Sequence, residues 1–218
     1  MKKIVFLMSS ILLLWGCGGS SESKEGTANE VTEEITEKVE EVKKCRYRYD
    51  HEKTELIWTA YKYNQKTGVK GTFDDISVTG LEGEGSIADV FNGAEITINT
   101  GSVNSGDPTR DPKIVEHFFG TLEGGESMAM SINNVTEDAI TFNVKMNGQE
   151  KEVVANYTQE NNALDVRAEI DVNSWGAQGG IDQLNEVCED LHKGSDGVSV
   201  LWPDVSLLIT TELLEVCE

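Results

Sequence analysis

Ile140-Thr141-Phe142-Asn143-Val144-Lys145-Met146-Asn147-Gly148 decides the fold class. Its apolar residues fall at every second position from Ile140 to Met146, with polar side chains between them. Successive side chains of a strand point to opposite faces, so this period predicts a strand with one dry face and one wet face. Asn147-Gly148 then supplies the two residues that most readily take positive φ, as a tight hairpin requires.

The same period runs outward in both directions. Ile96 and Ile98 alternate with Glu95, Thr97 and Asn99, and Met128, Met130 and Ile132 alternate with small and polar residues. Leu164, Val166, Ala168 and Ile170 alternate with Asp165, Arg167, Glu169 and Asp171, after a second candidate turn at Asn161-Asn162. Arg46 and Arg48 alternate with Tyr47 and Tyr49 at the start, and Val205, Leu207 and Ile209 close the series. One-sided strands of this kind belong to antiparallel sheets. Two stretches depart from the pattern. Residues 112–119 read as a short helix with Pro112 near its first turn. Residues 181–192 place Ile181, Leu184, Val187, Cys188 and Leu191 at helical spacing and stop before Gly194. Many short strands with one or two short helices make an all-β barrel or sandwich.

The N-terminus is an address. Lys2 and Lys3 precede an apolar run over 4–14 that is too short to span a bilayer, so it reads as the core of a signal peptide. It ends in Leu14-Trp15-Gly16-Cys17, which resembles the lipobox of bacterial lipoproteins, where the cysteine sulfur receives the lipid. Residues 1–16 are thus expected to be removed, Cys17 to be the lipid attachment site, and 17–44 to form an acidic tether ahead of a domain over 45–218. Two or three acyl chains give stable anchoring. The expected localisation is the cell envelope, and Gly18 after Cys17 favours the outer membrane over the inner. The formal charge is -21, and loss of Lys2 and Lys3 makes it -23. Such a surface repels phosphate backbones, which argues against nucleic acid as a partner.

With Cys17 consumed, Cys45, Cys188 and Cys217 remain, so three pairings are open and one thiol is left over. A closed meander barrel pairs its first and last strands, which would bring Cys45 to Cys217 and leave Cys188 free.

Several blocks carry a family resemblance. Tyr49-Asp50, the strand over 54–63 and Val69-Lys70-Gly71-Thr72-Phe73 are similar to the opening of YceI-like domains. Thr100-Gly101-Ser102-Val103-Asn104-Ser105-Gly106, then Arg110-Asp111 and Phe118-Phe119, resemble that family's second block. Ser174-Trp175-Gly176 stands where the family often has Phe-Gly, while Tyr63 replaces a common histidine. The resemblance implies a lipocalin-like, antiparallel up-and-down barrel of about eight strands. It also implies a bound isoprenoid or other lipid in an elongated apolar interior. Met128, Met130 and Met146 would give that interior an adaptable lining, with Trp58, Phe73, Phe118, Phe119 and Phe142 as wall. Arg110 and Trp175 are the candidates for its mouth. An inward apolar residue of a β-barrel is more often plain core than ligand lining, so a solid barrel acting as an envelope interaction or stress-related module is the competing reading.

Catalytic signals are weak. Three histidines are present, His51, His117 and His192, and no Gly-x-Ser-x-Gly elbow occurs. Ser21-Glu22-Ser23-Lys24 lies in the tether, and Gly83-Glu84-Gly85 lacks the strand and helix that a phosphate loop requires. Cys188 and His192 stand four apart, a spacing that could give a metal two ligands. A helix-terminal histidine beside a semi-buried cysteine accounts for the same pattern. Arg110-Asp111 reads either as a headgroup contact or as a loop-fixing pair.

Overall fold

The computed structural model describes residues 45–81 and 83–217. The stretches expected to be signal peptide and tether, residues 1–16 and 17–44, with the lipid attachment expected at Cys17, lie outside the described residues. The chain forms β1 (Cys45–Arg48), β2 (Glu55–Lys62), β3 (Thr67–Phe73), β4 (Ile76–Thr79), α1 (Ile87–Phe91), β5 (Glu95–Asn99) and β6 (Val103–Asn104). After α2 (Asp111–His117) come four long strands: β7 (Ser127–Val135), β8 (Ala139–Met146), β9 (Gln149–Glu160) and β10 (Ala163–Asp171). Helices α3 (Gln178–Val187) and α4 (Glu189–His192) precede β11 (Leu201–Glu212) and β12 (Leu214–Cys217).

Ten strands make one antiparallel sheet in the order β4-β5-β7-β8-β9-β10-β11-β2-β3-β6. Its two ends are halves of the same hairpin. Strands β3 and β4 are separated only by Asp74 and Asp75, and β5 and β6 only by residues 100–102. β4 pairs with β5 while β3 pairs with β6. Asp74 N–H donates to the Ser102 carbonyl and Asn99 N–H to that of Asp75, both at 3.0 Å, across the interruption. Counting each interrupted pair as one bent strand gives a ring of eight, and ring closure removes the exposed edges of a sheet. The hairpin turns are chemically specified: Asn147 and Gly148 have φ of 50° and 65°, and Asn161 has φ of 56°. β11 slips register between Leu201 and Val205. Pro203, which cannot donate to a ladder, lies within that slip.

The alternating residues face inward as the period requires. Ile140, Phe142, Val144 and Met146 are all buried, as are Leu164 and Val166. Three features differ from the sequence expectation. The first and last strands do pair, Cys45 against Cys217, with Sγ atoms 2.07 Å apart. They do so in a two-stranded ribbon outside the barrel, however, and the ring itself passes through β2 and β11. The helix expected over 181–192 begins at Gln178 and breaks at Cys188, where φ of -113° and ψ of 19° end its regular turn. Finally, α1 had no periodic signal at five residues long, yet Ser86 and Asp89 form a reciprocal capping box at its start.

Candidate functional site

Five strands divide the barrel interior in the same order, so the cavities lie in series along it. On β8, Ile140 and Phe142 line a first cavity and Met146 a second. On β10, Leu164 and Val166 face the first and Ile170 the second. The order repeats on β11 with Ile209 then Val205, on β2 with Leu56 then Trp58, and on β7 with Met130 then Met128. From Ile140 to Met146 is about 20 Å at the rise of a strand.

The first cavity measures about 340 Å³. Its walls are aliphatic apart from Phe91 and Phe142, and Tyr49, His51, Thr54 and Thr211 supply its polar rim. Thr54 Oγ1 donates to the Asp50 carbonyl at 3.2 Å and lies 2.7 Å from Thr211 Oγ1. Either hydroxyl of this pair can donate to the other, so the rim offers both a donor and an acceptor. Tyr49 packs edge-on against Phe91, and burial raises its phenol above the ordinary value.

The second cavity measures about 140 Å³, and among the described residues no charged side chain lines it. Trp58, Phe73, Phe118, Phe119, Met128 and Met146 all reach it. The Phe118 and Phe119 rings meet edge to face at 5.0 Å, and Phe73 meets Phe119 at 6.1 Å. Trp58 Nε1 donates to the Thr72 carbonyl and Trp202 Nε1 to that of Tyr63, so both indoles turn only carbon inward. Gly71 stands opposite Trp58 in the β2–β3 register. A Cβ there would collide with the indole and come within 2.7 Å of the Asn104 carbonyl oxygen, so this glycine makes room for the ring.

A third cavity of about 140 Å³ adjoins the second, sharing Trp58, Ala60, Ile114, Leu184 and Leu201 with it. Lys62, Arg110 and Lys113 line it together with Asp107, so its lining carries a net positive charge in an acidic chain. The Arg110-Asp111 pair divides its work. Arg110 faces the cavity and pairs with Asp107 at 3.3 Å, while the Asp111 carboxylate accepts from Ser105 N–H and hydroxyl and holds the loop.

Trp175 does not belong to a mouth. It is 2 % exposed, lines none of these cavities, and donates from Nε1 to the Val144 carbonyl at 3.0 Å. Its ring locks the helical segment after β10 onto β8, a packing role. Cys188 and His192 both line the third cavity. Among the described residues they gather no third metal-ligating side chain. Asn185 Oδ1 accepts from the Ser199 hydroxyl at 2.9 Å and lies 3.0 Å from His192 Nδ1. An acceptor-only oxygen makes Nδ1 the protonated nitrogen of the ring. Burial, then the charges of Lys62, Arg110 and Lys113, push His192 down to about 4. The metal-ligand geometry that does occur, Cys45, Glu215 and Cys217, has both sulfurs in the disulfide.

The model of the YceI-like domain matches residues 47–212. The chain belongs to the YceI-like domain family. Three solved structures are similar to it. A polyisoprenoid-binding domain from Saccharophagus degradans, implicated in plant cell wall breakdown, shares 15% identity over 81% of this chain and 99% of its own, with a TM-score of 0.49. BcnA of Burkholderia cenocepacia shares 13% over 77% and 99%, with a TM-score of 0.51. The YceI protein of Campylobacter jejuni shares 17% over 72% and 89%, with a TM-score of 0.47. No curated protein matches the chain. In this YceI-like domain the Val69–Phe73 block has a physical reason, since Gly71 seats Trp58 and Phe73 reaches the second cavity.

Sequence reasoning missed the first cavity's hydroxyl rim, because Thr54 and Thr211 lie 157 positions apart and meet only through β2–β11 pairing. It also passed over Leu201, Trp202 and Val205 as lining. Of these, Val205 carries the period-two signal that would have found it.

Proposed function

We propose that the protein is a non-enzymatic, membrane-anchored binder of an amphiphilic or isoprenoid lipid in the bacterial cell envelope. The observation that carries this reading is the hollow interior. A void of about 340 Å³ falls within the range of small-molecule sites, and its mostly aliphatic walls with a few hydroxyls at one end suit an apolar tail with a small polar head. Apolar walls around open space lack packing partners, and an apolar tail would supply those contacts. Membership of the YceI-like family supports the same direction. Lipidation at Cys17 would hold the barrel beside the bilayer that supplies its ligand.

Native mass spectrometry of the protein purified from its own cells tests the binding. A bound mass that is released on denaturation and extracts into organic solvent is expected, and a ligand-free protein with a water-filled interior would overturn the reading. Anchoring is tested separately by metabolic labelling with palmitate, which Cys17→Ser should abolish.

A further inference from the structure

The two interior cavities are in series but not continuous. Between them the structure holds a void of only about 30 Å³, roughly the share of one water molecule in the liquid. Phe142 and Met130 bound it from the first cavity's side, Leu207 belongs to both it and the second cavity, and Val144 and Ala168 fill the level between. Phe142 and Val144 are buried, and the half-buried Ala168 and Leu207 are register partners on β10 and β11, so side chains from three strands occupy this level.

We propose that this waist is a ruler for tail length, with Phe142 as its fixed jaw. The inference rests on the reading of the interior as a lipid-tail site. A tail entering from the hydroxyl rim gains about fourfold in affinity with each methylene it buries, while the first cavity has room. At the waist the gain stops, because the next methylene must displace packed side chains instead of filling space. The jaws differ in kind. An aromatic ring has two stiff torsions, whereas Met130 is unbranched and yields. Phe142 therefore sets the length at which the gain ends, and the second cavity is reached only by tails that move Met130 and Leu207 aside.

The test uses the folded barrel and a homologous series of saturated fatty acids from octanoic to stearic acid, read by displacement of a fluorescent fatty-acid probe. Wild type should gain about fourfold per methylene in the short acids and then level off. Phe142→Ala joins the compartments, so its affinity should go on rising past the wild-type plateau by at least tenfold for the longest acids. Phe142→Leu, which removes less bulk and folds more readily, should move the plateau in the same direction. A wild-type series that climbs without a plateau, or variants that level off at the wild-type length, overturns the ruler and leaves lipid binding standing. No binding of any acid by wild type overturns the lipid reading and the ruler together.

Discussion

Ala94→Leu separates a hollow barrel from a solid one by the sign of its effect. Ala94 is fully buried just before β5 and lines the first cavity. Leucine adds three carbons beyond Cβ. If they enter empty space they contribute about 2.4 kcal/mol at about 0.8 kcal/mol each. Ordering the side chain takes back about 0.5–1 kcal/mol, which leaves about 1.5 kcal/mol. For a domain of this length that raises Tm by about 3–6 °C. In a filled interior the same carbons are overpacked and cost about 1–3 kcal/mol. The two cases therefore differ by several degrees in opposite directions, well within the reach of a thermal melt followed by circular dichroism. A second reading comes from ligand. Dodecanoic acid at a hundred times its Kd should stabilise wild type by about 2.7 kcal/mol, and Ala94→Leu should lose most of that gain because the space is taken. Val166→Ile adds a single methylene to the same wall and guards against a local clash at Ala94. If both variants lower Tm while dodecanoic acid keeps its full effect, the first cavity is not where the tail goes.

Trp175→Phe should cost about 1–2 kcal/mol by leaving the Val144 carbonyl without its indole donor, yet leave fatty-acid affinity unchanged, as displacement titration will record. His192 has a folded-state pKa below its unfolded 6.5, so its contribution is fully present above pH 6.5 and is lost as pH falls toward 4. The full shift corresponds to about 3 kcal/mol, which the half-buried ring and solvent screening reduce to about 1 kcal/mol. Urea titrations at pH 7 and pH 4.5 should show this difference shrinking in His192→Asn. Replacing Cys45 and Cys217 by serine opens a loop of 172 residues, worth up to about 5 kcal/mol by chain entropy. The ribbon lies outside the barrel and can fray alone, so a loss nearer 2 kcal/mol is expected. Hydrogen exchange should quicken in β1 and β12 and stay slow in β2 and β11.

Which side chains face inward was legible in the sequence because the information is local. Ile140, Phe142 and Met146 alternate, and a strand has no choice but to send alternating residues to one face. That is why Met130 and Phe142 reach the first cavity and Trp58, Phe73, Met128 and Met146 the second, where Phe118 and Phe119 join them from the helical turn after α2. What remained hidden depends on distant partners. Trp175 is an aromatic near a barrel end like Trp202, and the two differ only in where a carbonyl lies: Val144 for one, Tyr63 for the other. Cys45 and Cys217 were paired through the right argument applied to the wrong strands, because the count of segments does not say that the ring passes through β2 and β11 and leaves the outermost pair as a clasp. Hollowness is the most distant property of all. A barrel's width is set by how many strands close it and how far they are staggered, while its filling is the sum of side-chain volumes from every strand. Phe142 shows the consequence. Its inward direction follows from eight consecutive residues, but whether it is a brick in a solid core or the jaw between two cavities depends on Met130 on the neighbouring β7 and Leu207 on the more distant β11. A change of one residue's size at that level alters function without altering the pattern from which the fold was read.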